Sequence, residues 1–322
     1  MSQFRFFIFF LVFFLCACQR SAQFKKDSEL GKEDFHEGMI RDRAGSDVLS
    51  KKIEAIGQPK KRVMILDFWN DTPIQLNEMG FFVADELKRG LHLSQKVIVS
   101  LDGKSDFSTR DFVQGDQIKV AQLIREGRKL GVSVVAIGRI SKMIYRQKGD
   151  DVGLFRQKQS LMAVDIEMKL FDVQGGREIL ATSKSGESSA NGVAVLDDND
   201  MNAPTYRTEL AKIALREAVA QCVPDVVRAV EKLTWQGRIA KMIGPKIYIN
   251  AGRTSGLIAG DILRVINQGD EVYDPATGAL LGRAQGQLKG TLEVMDFIGP
   301  DGAVADVHTG GNFHEGDLVQ LY

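Results

Sequence analysis

Cysteine is scarce in this chain, and two of its three cysteines fall within the first 18 residues. Past that point only Cys222 remains, which leaves no partner for an internal disulfide. It stands in Ala218-Val219-Ala220-Gln221-Cys222-Val223, a helical stretch in which a buried core thiol is expected rather than a reactive one. Net charge is absent too. Forty-two basic residues balance 42 acidic ones, which excludes the basic footprint of a nucleic-acid binder. Histidine is rare, and His36, His92, His308 and His314 show no metal-ligand spacing. A phosphate-binding loop needs Gly-Lys-Ser/Thr opening a helix. The glycine-rich stretch from Gly252 to Gly260 has instead Asp261 next to it, so it reads as turns between strands. Asp198, Asn199 and Asp200 mimic the start of a calcium loop, but the ordered Asp-x-Asp-x-Asp-Gly and the closing Glu are missing. No serine or cysteine has the setting of a nucleophile elbow. The expectation is a protein with no catalytic residue, metal site or cofactor.

Long apolar runs are also missing, except at the start, MSQFRFFIFFLVFFLCACQR. The run from Phe6 to Leu15 is half of the roughly 20 residues a membrane-crossing helix needs. Arg5, a short apolar core and small residues at its end have the form of an export signal. Leu15-Cys16-Ala17-Cys18 resembles the bacterial lipobox. That resemblance implies that residues 1–17 are cleaved and that Cys18 is lipidated as the new first residue. Stable anchoring takes more than one acyl chain, and a lipoprotein cysteine of this type carries three. Gln19, rather than an aspartate, follows the cysteine, and this favours the outer membrane.

About 300 residues then remain, enough for one large or two ordinary domains. Residues 18–61 are polar and mixed in charge, and read as a tether with one short helix near Val48–Ile56. Such a tether would reach on the order of 35–40 Å. From Arg62 a strand (RVMILDF), a helix with Leu76, Met79, Val83, Leu87 and Leu91 on one face, a strand at Lys96–Ser100, a helix at Gln117–Leu130 closed by Gly131, and a strand at Val132–Ile140 alternate. This predicts an α/β layer. Ala163–Asp172 alternates with Ile166, Met168 and Leu170 on one side, and turns through Gln174–Arg177 into a return strand, Glu178–Ser185. A long helix follows from about Thr205 to Leu233, with a kink or split expected at Pro224. Beyond Trp235, six short strands punctuated by glycine predict a small all-β barrel: Gly237–Ile243, Lys246–Ile249, Asp261–Ile266, Gly290–Asp296, Ala303–His308 and Asp317–Leu321.

Two resemblances attach to these stretches. RVMILDFWND, the segment Leu130–Gly138 (LGVSVVAIG) and VDIEMKLFDVQGGREIL are similar to the CsgG family of curli-secretion lipoproteins. This implies a CsgG/TolB-N-like mixed sheet with flanking helices over residues 62–234. KIYINAGRTSGLIAGDILRV, YDPATGALLGRA and FHEGDLVQL resemble the C-terminal domain of the flagellar protein FlgT, over residues 235–322.

One departure from the first family concerns its membrane hairpins. Their strands need about 9–11 residues with alternate residues apolar. The candidate places here are Ser141–Met162 and Thr182–Asp197. The first carries Lys142, Arg146, Lys148, Asp150 and Asp151, and the second is small and polar. An Arg or Lys facing lipid at mid-depth costs roughly 2–4 kcal/mol.

The resemblances imply a non-enzymatic outer-membrane lipoprotein facing the periplasm. It would act in envelope assembly or transport through contacts with other envelope proteins, as a homo-oligomer. The alternatives are a true curli-type secretion channel, a structural accessory of the flagellar basal-body ring and, most remotely, a hydrolase.

Overall fold

The structure, a computed structural model, describes residues 58–322 apart from 77, 101–107, 116, 150–156, 194–203, 279 and 285. Cys16, Cys18, the expected short helix near 48–56, His36 and residues 198–200 lie outside the described residues. Residues 58–322 form one compact unit. In chain order its elements are β1 (Arg62–Ile65), β2 (Trp69–Asn70), α1 (Met79–Ser94), β3 (Ile98–Val99), α2 (Thr109–Phe112), β4 (Val113–Gln114), β5 (Gln117–Ile118), α3 (Val120–Leu130), β6 (Val134–Gly149), β7 (Gln157–Asp172), β8 (Arg177–Val193) and α4 (Pro204–Glu231). There follow β9 (Gly237–Ile243), β10 (Lys246–Ile249), β11 (Ile262–Ile266), β12 (Glu271–Tyr273), β13 (Leu280–Arg283), β14 (Leu288–Ile298), β15 (Gly302–Gly310) and β16 (Leu318–Leu321).

The first sheet is mixed, in the order β3-β1-β6-β7-β8, with β2 also pairing β6. β1 is parallel to both β3 and β6, whereas β6, β7 and β8 form an antiparallel meander. Side chains on a strand alternate between faces, and β1 serves two cores in this way. Val63 and Ile65 pack with α1 and α4, while Met64 and Leu66 pack with Leu123 and Ile124 of α3. The α1 stripe of Met79, Val83, Leu87 and Leu91 is buried, as its spacing predicts. Each such side chain contributes about 1.5–3 kcal/mol of apolar burial. Gly131 ends α3 at φ 69°, with its N–H bonded to the carbonyls of Arg128 and Gly127, as the sequence reading anticipates.

Several stretches differ from expectation, and β6 and β8 run on to Gly149 and Val193, past their expected ends at Ile140 and Ser185. α3 begins at Val120 rather than Gln117, because Gln117–Ile118 pairs with Val113–Gln114 instead. α4 runs unbroken through Pro224 as one helix of 28 residues. Proline removes one helical hydrogen bond, but Val219 and Cys222 before it and Val226 and Val230 after it are all buried in the same core. That packing holds both halves on one line of contact with the sheet. Order also reaches upstream of Arg62: the Lys60 N–H donates to the Ser255 carbonyl at 2.7 Å, and Lys61 is buried.

The second sheet closes into a six-stranded barrel, β10-β15-β14-β11-β16-β9, antiparallel throughout. Closure removes the free edges. Ile239, Ile247, Ile249, Leu263, Val265, Leu292, Val294, Ala303, Ala305 and Val319 fill it, with Trp235 at one side. The β12–β13 hairpin is an excursion between β11 and β14 that sequence reading passes over.

Candidate functional site

β6, β7 and β8 are 16, 16 and 17 residues long and carry the feature that stands out. They continue well past the end of β1, which pairs with β6 only as far as Ala136. A bulge at Ser141, where the register with β7 shifts between Ile140 and Lys142, resets which side chains face inward. Before it Ile140 is buried, and after it Met143 is. Of the charged candidate segment Ser141–Met162, the described residues 141–149 continue β6 after this phase change and 157–162 begin β7, while 150–156 lie outside the described residues.

The inner face of this extension lies on α4. Gly186 permits the approach, since a Cβ there would come within 2.0 Å of the Ala214 carbonyl oxygen. The Ser188 hydroxyl, which is buried, donates to the Leu210 carbonyl at 2.7 Å. Tyr145 shares a hydrogen bond of 3.1 Å with Ser160, and the Arg207 guanidinium stacks 4.8 Å from the Tyr145 ring centre. Lys184 reaches Asp225 at 2.8 Å. That hydrogen bond, joined by one from Arg228, holds the Asp225 carboxyl below the usual carboxylate range.

β8 is an edge strand, and unpaired edges invite pairing with another chain. Two of its backbone groups are already met by side chains of α4. Gln221 donates to the Ser185 carbonyl at 2.9 Å, and the Glu187 N–H donates to Glu217 at 3.0 Å.

The outer face is different. α3 covers its near half, where Val135, Ile137, Phe171 and Val173 are buried. Farther out, Lys142, Arg146 and Lys148 of β6 and Ser183, Ser185, Glu187 and Ser189 of β8 are exposed. A half-buried apolar strip of Ile144, Ala163 and Leu161 runs between them. Charges pair across the strands: Arg139 with Glu167 at 2.9 Å and with Asp71 at 3.2 Å, and Lys142 with Asp165 at 3.5 Å. Such exposed pairs are worth about 0–1 kcal/mol, so they break readily when another surface arrives. A groove of about 470 Å³ lies on this face beside β5, lined by Trp69, Ile118, Arg139, Glu167, Lys169 and Ser183 among others.

The remaining sequence candidates are structural. The glycine-rich loop from Gly252 does gather N–H groups around an anion, but the anion is the chain's own Asp301. Its carboxylate accepts from the Gly252 N–H (2.7 Å), the Ser255 N–H (2.9 Å), the Ser255 hydroxyl (2.6 Å) and Arg62 (2.9 Å). Burial alone would raise the Asp301 pKa, yet these bonds outweigh it and hold the carboxyl below its ordinary value. Cys222 is buried in the core, and burial pushes its thiol up to about 12. His92, His308 and His314 are exposed on separate elements. Among the described residues no cluster of His, Cys, Asp or Glu could hold a metal ion.

No protein-family model matches the chain, and no curated protein matches it. The CsgG and FlgT likenesses rest on the quoted sequence motifs alone. Solved structures do match over about half the chain. One is the hypothetical protein CT253 from Chlamydia trachomatis, at 15% identity, covering 53% of this chain and 98% of that one, with a TM-score of 0.33. A second is the PelC dodecamer from Paraburkholderia phytofirmans, at 12% identity, covering 51% and 88%, with a TM-score of 0.27. A third is the lipoprotein GNA1162 from Neisseria meningitidis, at 13% identity, covering 54% and 99%, with a TM-score of 0.26.

Proposed function

We propose that this chain is a lipid-anchored protein of the bacterial outer membrane, facing the periplasm. It works without catalysis, in envelope assembly or transport of the CsgG-like kind, through contacts with copies of itself and with other envelope proteins. Anchoring rests on Leu15-Cys16-Ala17-Cys18, with Cys18 as the acylated residue. The contact function rests on one observation: among the described residues, the far half of the β6–β8 meander is packed on α4 on one face and left uncovered on the other. Small exposed residues at Ser183, Ser185 and Ser189 let a partner's backbone come close, and Glu187 and Arg146 give it polar groups to read.

Site-directed photo-cross-linking in living cells tests this. A photoreactive residue at Ser185 or Ser189 is expected to give discrete adducts with protein. The same residue at Leu93, exposed on α1, is expected to give none. Equal adducts from both places, or none from the outer face, overturn the assignment.

A curli-type channel is the second reading, and strand length favours it. Sixteen and seventeen residues exceed the 9–11 or so needed to cross a bilayer. Against it, the outer face carries Lys142, Arg146 and Lys148, and the inner face is occupied by α4. Discrete conductance steps from the purified protein in a planar bilayer would decide for the channel.

A further inference from the structure

A cleft of about 510 Å³ lies where the β7–β8 turn, the end of α4 and the barrel strand β11 meet. Its size falls within the roughly 300–1,000 Å³ of small-molecule sites. Three cationic side chains line it: Arg177 after the turn, Lys232 just past α4, and Arg264 on β11. Among the described residues none of the three has a carboxylate partner. Among the described residues Asp172 is the only acidic side chain lining the cleft, and it already accepts the Gln174 N–H at 3.0 Å. The excess is three positive charges against one negative.

Two buried atoms behind the wall of the cleft lack a hydrogen-bond partner among the described residues. Arg264 donates through Nη2 to Gln320 at 3.3 Å, but its Nε is buried with no partner among the described residues. The Gln236 Oε1 is likewise buried and unpartnered. Leaving such a donor or acceptor unsatisfied costs about 1–3 kcal/mol. Both atoms are sealed from solvent, so what the cleft itself presents is three cationic side chains without a carboxylate partner among the described residues.

We propose that this cleft binds a small organic anion, a sugar carrying one phosphate or carboxylate. The anionic group would meet Arg264 with Lys232 and Arg177. The hydroxyls would meet Gln236, Thr234 and Asn267 at the walls. The buried Leu318 and the side chain of Ile266 offer an apolar floor for a sugar ring face. This site is separate from the outer face of the meander, so it does not depend on the contact function proposed above.

Isothermal titration calorimetry on the purified full chain in detergent tests it, with glucose 6-phosphate, glucuronate and uncharged glucose as probes. Binding of at least one of the two anions is expected, with glucose at least about tenfold weaker. The stronger of the two anions tells phosphate from carboxylate. Arg264→Gln and Lys232→Gln are each expected to weaken that anion by at least about tenfold, the range of a charged hydrogen bond. Lys232 and Arg177 are exposed, so if Arg264→Gln fails to fold, Lys232→Gln and Arg177→Gln decide. Absence of heat with both anions, glucose binding as tightly as the anions, or wild-type affinity in the charge variants overturns the proposal.

Discussion

Arg62 and Asp301 meet at 2.9 Å across 239 positions of sequence, and their contact joins the first strand of the mixed sheet to the barrel. Asp301 also closes the Gly252–Ser255 loop, so one carboxylate organises a turn and a junction together. Asp301→Ala leaves Arg62 without its carboxylate and leaves two backbone N–H groups and the Ser255 hydroxyl without their acceptor. Its cost is about 3 kcal/mol, in the range for breaking a shielded pair. The sign of the pH effect follows from a folded pKa held below the unfolded value. The stabilisation is complete above about pH 4, the unfolded carboxylate value, and is lost as pH falls through the lower folded value. Urea unfolding at pH 7 and pH 3 measures both. The stability gap between wild type and Asp301→Ala should narrow at the lower pH, and a gap that widens contradicts this account.

Gly186 sets how closely α4 lies on β8. A methyl group there would press on the Ala214 carbonyl at 2.0 Å. Gly186→Ala should lose about 1–3 kcal/mol through overpacking. At Gly311 an added Cβ meets nothing within 4 Å, so Gly311→Ala is the matched control and should be near neutral. Thermal melts of the two variants compare them, and equal melting temperatures would refute the close-packing argument.

Cys222 should be silent as a thiol. It is 1% exposed, and burial raises its pKa to about 12, so very little thiolate is present at pH 8. Iodoacetamide should label it only after denaturant is added. Rapid labelling of the native protein would contradict the core assignment. Cys222→Ser, which buries a hydroxyl, should cost about 1–3 kcal/mol.

The passage from α4 to the barrel should resist protease. α4 ends at Glu231 and β9 begins at Gly237, and Trp235 between them is 4% exposed. Arg128 bridges the same region, pairing with Glu271 at 2.8 Å and accepting from Arg238 at 2.9 Å. The polar sequence before Gln58 offers easier sites. Limited trypsin digestion should therefore cut between Gln19 and Gly57 first, and early cleavage at Lys232 would count against a tight junction.

Much of this fold can be read from periodicity. Ile166, Met168 and Leu170 alternate and are buried, and the six glycine-punctuated strands after Trp235 close a barrel. The extension of β6 could not be read so easily, because the bulge at Ser141 shifts the alternation by one residue. The far part of β8 was hidden for another reason. Gly186 and Ser188 look like surface residues, but they are buried because α4 approaches closely enough to use a missing side chain and a hydroxyl. The cleft around Arg264 was illegible in principle, since Arg177, Lys232 and Arg264 are brought together only by the tertiary fold. Cys18, by contrast, is a claim that the sequence alone carries.

That claim fixes the compartment in which every contact surface must work, and metabolic labelling with a tagged fatty acid tests it most directly. Wild type and Cys16→Ser should both carry the label, and Cys18→Ser should carry none and lose stable membrane attachment. An unlabelled wild type, or label retained in Cys18→Ser, would contradict the lipid-anchored account.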